Sequence, residues 1–445
     1  MARLTRSALI RGAAAGAGAA FLAACGAGTA TPGAGVTKEP VRLHMFNHAG
    51  DQAAIDQWKQ VVEPFSQKYP NVTFEVGGPP GGPNTLLDAV LKMGAAGTIA
   101  DFTYSVTRNG PTMFTSGLTA DLTQIVKRER VDLKDVPKAM IENMEWQGKL
   151  MALPYDLGYS YIQYNKSLFD KAGVTDPGAL WRQKKWDWDA FTNAIAALAR
   201  SMTPESQEAP FWLRNTEADY LSIIRSLGGD TMSKDRTRFI LGEPAGLAAL
   251  AKWGELSTRY RAAPPDKGPP GDFDGGKLAM ISSNPATITR TQRAAQAGGQ
   301  PWRWDVVPHP APAGKKPVPI LFTNGLYLWK GTKNESTTIE VLKWMMSDER
   351  LLFYGKLTGR DPARTTLQPQ HVKNLGIPEN DPKNWLDVYK ELTPLVQGIP
   401  WTIGYVEWHA ILASEVLTPV GKGEKSAPEA VNAAAPKINA ILARK

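Results

Sequence analysis

The chain has 445 residues with ordinary hydrophobic and charged fractions of 42% and 21%, a formal net charge of +8 and one cysteine. That length is more than one core usually serves, which makes two domains the expectation and a disordered or fibrous chain the excluded class. Arg3, Arg6 and Arg11 have no acid beside them in the first 24 residues, so the remainder keeps a charge of +5, and no Lys/Arg block of the kind that grips nucleic acid stands in it.

In chain order, those arginines precede an uncharged stretch from Gly12 to Ala24. Basic region, apolar region and small-residue cleavage site follow one another as in a secretory signal. The stretch is too short to span a bilayer. Leu22-Ala23-Ala24-Cys25 closes it and resembles a bacterial lipobox, which implies removal of residues 1–24 and lipidation of Cys25. An ordinary signal with an incidental cysteine is the alternative, and Thr5 stands where a twin-arginine signal needs its first arginine. With its only thiol at the anchor, the mature fold is expected to have no disulfide and no cysteine nucleophile. Thr29 to Pro40 has the composition of a flexible tether, with folding expected to begin after it.

Val41 to Phe46 reads as a buried strand with a loop at Asn47 to Gly50. Ile55, Trp58, Val62 and Phe65 then recur at helical spacing, with Pro64 bending or ending the helix. Val72, Phe74 and Val76 alternate as a strand, Gly77 to Pro83 forms a loop, Leu86 to Leu91 a helix, and Asp101 to Ser105 a third strand. Strands alternating with helices predict a parallel sheet covered on both faces, with ligands beyond the strands' carboxyl ends. That places Asn47, His48 and Ser105 as candidates. Farther on, Asp187 caps a predicted helix through Trp188, Phe191, Ile195 and Leu198, and Leu247 to Leu256 mark another. A late strand at Pro319 to Trp329 and a helix from Ser336 to Met346 could complete the first sheet.

Four fragments in this order carry a resemblance: Trp146-Gln147-Gly148-Lys149 through Pro154, Tyr164-Asn165-Lys166-Ser167-Leu168-Phe169, Asp187-Trp188-Asp189-Ala190-Phe191, and Phe273-Asp274-Gly275-Gly276-Lys277-Leu278-Ala279-Met280. Each is weak singly, but their order and spacing resemble the family 1 extracellular solute-binding proteins of bacterial ABC importers, the group of the maltose-binding protein. The resemblance implies an α/β, two-lobed, type II periplasmic-binding-protein-like fold. Each lobe would hold a mostly parallel sheet flanked by helices, and three crossovers near Pro154, Pro308 and Gly359 would form the hinge. Lobe 1 would then hold 41–154 plus 309–358, and lobe 2 155–308 plus 359–445. It also implies a monomeric, lipid-anchored receptor outside the cell membrane or in the periplasm that delivers a carbohydrate to a permease and its ATPase.

A sugar site needs flat apolar faces for the ring and planar polar groups for the hydroxyls. With 14 Trp and 12 Tyr, most rings must be core, Trp188 and Trp253 among them. Tyr155 and Asp156 follow the first crossover, where the family places cleft-lining residues. Asn284 follows the Lys277-Leu278-Ala279-Met280 strand, where several sugar binders carry a tryptophan that this chain lacks. Asn324 precedes Gly325, where a close ligand would favour glycine. Arg360 is a candidate clamp for an anion, set against an ion pair with Asp361 or a surface position. Trp401 and Trp408 are the aromatic candidates, on a loop before a helix.

Other chemistries lack a centre. Gly271 to Lys277 has phosphate-loop spacing but is followed by Leu278, without the hydroxyl a magnesium ion needs. His44 and His48 would lie about 13 Å apart along a strand, too far for one metal. No cofactor, metal or nucleic-acid partner is expected, and no enzymatic activity. The rival readings are a surface lipoprotein glycosidase using two carboxylates such as Asp156 and Glu407, an adhesion lipoprotein, and a binder of another polar solute such as a glycerol phosphate ester.

Overall fold

The computed structural model describes residues 35–81, 83–266, 268–269, 271–297, 302–376 and 383–444. The expected signal and the expected lipidation site, Cys25, lie outside the described residues. Strands β1 (Val41–Asn47), β2 (Val72–Gly77) and β3 (Phe102–Val106) form where the sequence predicts them, β2 with alternating Val72, Phe74 and Val76. β1 pairs in parallel with both β2 and β3. The helix Gln52–Val62 between β1 and β2 starts at Asp51, whose carboxylate accepts the Ala54 amide at 2.9 Å, and buries Trp58, Val61 and Val62. Pro64 ends that helix and opens the next, Pro64–Lys68, as the first helical position tolerates a missing N–H.

The strands β4 (Glu145–Trp146) and β5 (Lys149–Leu150) make a hairpin in which Gln147 and Gly148 both have positive φ, the two-residue turn that matches strand twist. β6 (Leu153–Tyr159) then crosses the first sheet, and after Ser160 the chain enters a second sheet as β7 (Tyr161–Asn165). That sheet adds β8 (Ala209–Phe211), β9 (Leu278–Ser283) and β10 (Trp304–Val307), in the order β10-β7-β9-β8. β11 (Ile320–Leu328) returns to the first sheet between β6 and β3, antiparallel to both. With β12 (Asp361–Pro362) and β13 (Gln397–Gly398) the first sheet has the order β12-β6-β11-β3-β1-β2, β13 pairing β11. The late strand thus completes the first sheet, but against its neighbours rather than along them, so both sheets are mixed and the expectation of mostly parallel sheets is corrected.

Each sheet carries its own core. Leu43, Trp58, Phe102, Tyr104, Tyr155, Leu326 and Tyr354 belong to the first. Ile162, Phe191, Leu250, Trp253, Trp401, Trp408 and Ile438 belong to the second, and a third cluster around Tyr159, Tyr161, Trp304 and Trp385 fills the rest of the second lobe and the junction. Trp188 and Trp253 are buried as expected. The tether is shorter than its composition suggests. Val36 packs against the first core, the Thr37 amide donates to Thr337 Oγ1 at 3.0 Å, and Asn71 Nδ2 donates to the Thr37 and Glu39 carbonyls. Backbone polar groups paired in this way bind residues 37–39 to the fold although their composition is loop-like.

Candidate functional site

A cavity of about 380 Å³ opens between the two lobes. One wall comes from the first sheet: Val106, Thr107 and Arg108 at the carboxyl end of β3, with Thr323 and Asn324 on β11. The facing wall comes from the second lobe: Arg214, Thr216, Glu217, Ala218 and Asp219 where the chain after β8 enters the helix Glu217–Ser226, and Ser283 and Asn284 at the end of β9. Ile399 and Trp401 complete it.

The walls are held by hydrogen bonds that leave the groups in set orientations. Thr107 Oγ1 donates to the Thr323 carbonyl at 2.6 Å, tying the end of β3 to β11. Arg214 Nε lies 2.8 Å from Asp219 Oδ2, Arg214 also donates to the Ser282 carbonyl, and the Thr216 hydroxyl meets the same Asp219 carboxylate. Asn284 caps the turn Pro285–Thr287, its Oδ1 accepting the Ala286 amide at 3.0 Å. Two guanidinium groups, Arg108 and Arg214, therefore share the cavity with two carboxylates, Glu217 and Asp219. The charges balance, which favours a ligand that is polar but uncharged.

Behind Asn324 sits a buried carboxylate. Asp156 accepts Tyr104 Oη at 2.5 Å, Tyr354 Oη at 3.2 Å and Asn324 Nδ2 at 2.7 Å, and Arg360 Nη1 lies 3.8 Å from it. Burial pushes both tyrosine hydroxyls well above their usual range, so they stay protonated and serve as donors. Asp156 and Asn324 are cross-strand partners on β6 and β11, and Arg360 precedes β12, so this carboxylate joins three neighbouring strands of the first sheet.

Asn284, Asn324 and Trp401, among the residues expected in the site, line the cavity. Asp156 and Arg360 stand one layer behind, through Asn324. Arg360 reaches Asp156 rather than Asp361, which instead meets His371 Nε2 at 3.3 Å and Gln368 Nε2 at 3.1 Å in the interior. The remaining candidates do not line this cavity. Asn47 is buried and braces its own loop, its Nδ2 donating to the Ala49 carbonyl and its Oδ1 accepting the His48 amide. Ser105 points its hydroxyl to the Val106 carbonyl inside the sheet. Tyr155 packs within the first core, its ring tilted against that of Tyr354 at 4.6 Å. His48 packs 4.9 Å from the Tyr104 ring, and burial, aided by Arg360 and Arg108, lowers its pKa to about 4. Trp408 is 1% exposed, donates to Thr402 Oγ1 at 2.7 Å and meets Tyr405 edge-on, which makes it support for the Trp401 loop rather than cavity wall. Gly325 owes its identity to packing as well: a Cβ there would stand 2.8 Å from the Ala152 Cβ.

Sequence reasoning passed over Arg108, Arg214, Glu217 and Asp219. Thr107 and Arg108 lie just two and three residues beyond Ser105, where the carboxyl-end rule points. Thr216 to Asp219 opens a helix after a short strand, but nothing in its local pattern distinguishes that helix start from the others. Among the described residues no group of three or more His, Cys, Asp or Glu side chains could hold a metal ion, and no helix is long and apolar enough to cross a membrane.

Residues 60–383 match the family model described as bacterial extracellular solute-binding protein. The chain belongs to that family. Membership implies an exported protein, and the family consists of binding proteins. Among solved structures, the chain is similar to an ABC substrate-binding protein from Listeria monocytogenes in complex with cycloalternan (TM-score 0.75, 19% identity, 91% of this chain and 99% of that one). It is also similar to the sugar-binding protein MalE from Xanthomonas citri (0.74, 16%, 91% and 98%) and to UgpB from Mycobacterium tuberculosis in complex with glycerophosphocholine (0.73, 16%, 90% and 98%). These likenesses establish the two-lobed fold.

Proposed function

We propose that this protein is the carbohydrate receptor of an ABC importer, holding a mono- or oligosaccharide in the cavity between its lobes and delivering it to a membrane permease and its ATPase. The observation that carries this reading is the charge-balanced wall, in which Arg108 and Arg214 share the cavity with Glu217 and Asp219, Arg214 being paired with Asp219, and Asn284, Asn324 and the Trp401 ring complete a neutral polar surface. A pyranose offers hydroxyls that both donate and accept, and such a wall meets both needs. The similar structures of a cycloalternan complex and of a sugar-binding protein support the same class. A glycerol phosphate ester, the alternative suggested by the glycerophosphocholine complex, would need an unmatched positive charge, and each cavity guanidinium has a carboxylate in the same cavity.

The domain division at the three crossovers, 41–154 plus 309–358 against 155–308 plus 359–445, is part of this reading, as are closure about that hinge, lipidation at Cys25 and a monomeric state. An activity as a glycosidase is not favoured. Asp156 is covered by four partners, Glu407 is an exposed group paired with Arg444, and neither lines the cavity between the lobes. The test is a tryptophan-fluorescence and calorimetric screen of the purified protein against mono- and oligosaccharides and glycerol phosphate esters, with product analysis of each mixture. Saturable binding of a sugar without turnover supports the receptor. Turnover that Asp156→Asn abolishes would establish the enzyme instead, and binding confined to phosphate esters would replace the sugar.

A further inference from the structure

Ile399 lines a second cavity, of about 530 Å³, separate from the ligand cavity whose wall it also forms. Three cationic side chains, Arg225, Lys234 and Arg236, face this space with two carboxylates, Asp230 and Glu142. Both carboxylates already have partners. Asp230 holds Arg225 at 3.0 Å and accepts the Thr231 amide, and Glu142 pairs with Lys138 at 2.9 Å. Arg236 has no carboxylate within ion-pair distance among the described residues. Among the described residues its guanidinium makes one hydrogen bond, a long one of 3.5 Å from Nη1 to the Trp401 carbonyl.

The way Arg236 reaches the cavity is unusual for its residue type. Met232 and Phe239 bridge in antiparallel fashion, and the turn between them is closed by the Ser233 amide on the Arg238 carbonyl at 2.9 Å and the Arg236 amide on the Ser233 carbonyl at 2.8 Å. Asp235 braces it by accepting from the Ser233 hydroxyl and from Thr237. Arg236 sits in that turn at φ 61°, a conformation that glycine or asparagine adopts more readily and that costs another residue on the order of 1 kcal/mol. Burial first, and the neighbouring Arg225 second, disfavour its charge, while Glu145 opposes them. A strained backbone thus holds a poorly compensated guanidinium against a cavity.

We propose that this second cavity is an oxyanion-binding site, which takes a phosphate or carboxylate group onto Arg236 and Lys234 with Arg225 as the inner charge. A guanidinium fork and an ammonium together satisfy several oxygens of such a group. Arg225 also donates to the Gly398 carbonyl at 2.9 Å, so the same arginines that would hold the anion also hold the segment carrying Ile399 and Trp401. An anion would compete with the Trp401 carbonyl for Arg236.

The test is calorimetric titration of the full chain with inorganic phosphate and, separately, with citrate, at an ionic strength fixed with sodium chloride. Saturable binding of at least one anion is expected, weakened tenfold or more by Arg236→Gln and unchanged by Asn284→Ala in the ligand cavity. Absence of saturable binding, equal affinity in Arg236→Gln, or loss in Asn284→Ala would overturn the assignment. Lys234→Gln, at an exposed position, carries the same test should Arg236→Gln fail to fold: a threefold or greater loss supports the site, and no change overturns it. The carboxylate and phosphate arms separate the two sources of oxyanion.

Discussion

Trp401 and Trp408 lie seven residues apart, and the structure gives them different work. Trp401 presents part of its ring to the ligand cavity and is backed by Asn143, whose carboxamide, in the orientation that satisfies both of its groups, bridges the Ile399 carbonyl and the indole N–H at 3.2 Å each. Trp401→Ala should therefore weaken sugar binding about tenfold, the loss of one aromatic contact, and also lower the melting temperature, because the indole is a buried member of the second core. Trp408→Ala should cost roughly 3 kcal/mol of stability by opening a core cavity without a direct loss of ligand contact, and binding titrations beside thermal unfolding of the two variants will separate them. His48 supplies a pH test. Its folded pKa of about 4 lies below the unfolded value of 6.5, so between those values the unfolded chain binds the extra proton and stability is lost as pH falls. Wild type should lose about 1.4 kcal/mol per pH unit relative to His48→Gln across that window, measured by urea unfolding at pH 7, 6 and 5; parallel curves would refute the burial argument. Taking the difference removes the opposite contribution of Asp305, whose pKa burial raises to about 6.

Elements were more legible than side-chain destinations. The segment from Trp146 to Lys149 reads as a motif because Gln147-Gly148 supplies a two-residue hairpin turn, and the Asp187 and Asn165 caps announce their helices in the same local way. Strand direction has no such local signature. β11 looks like any apolar strand, and only its pairing with β3 and β6 reveals it as antiparallel. A bulge between Asn324 and Gly325 lets β11 hold both neighbours while turning Asn324 toward Asp156 and the cavity. Gly325→Val would drive its side chain into Ala152 and Met144, whose Sδ would stand 3.1 Å from the new Cβ. An overpacking loss of about 2 kcal/mol is expected, together with weaker ligand binding because Asn324 shifts; normal binding by a destabilised variant would separate the bulge from the site.

At the scale of the whole molecule, two separately cored sheets share a set of crossing strands, and the candidate cavity lies where they face. The sequence order of fragments was enough to suggest that plan, because each fragment is a local structure at a set distance from the next. The cavity wall was not legible, because Arg108, Arg214 with Glu217, and Asn324 come from three separated stretches and meet only in three dimensions. Closure of one lobe on the other predicts that a sugar found in the screen lowers the radius of gyration measured by small-angle X-ray scattering, and an unchanged profile at saturation would rule out hinge motion on binding. The hydrogen bonds from Thr37 to Thr337 and from Asn71 to Thr37 and Glu39 add a mechanical consequence. Any pull along the preceding chain is delivered to the first lobe at its sheet, with no lever arm on the crossing strands. In the proposed closure that lobe would be the fixed jaw and the second would swing, so a load carried by the preceding chain would not by itself pry the two apart.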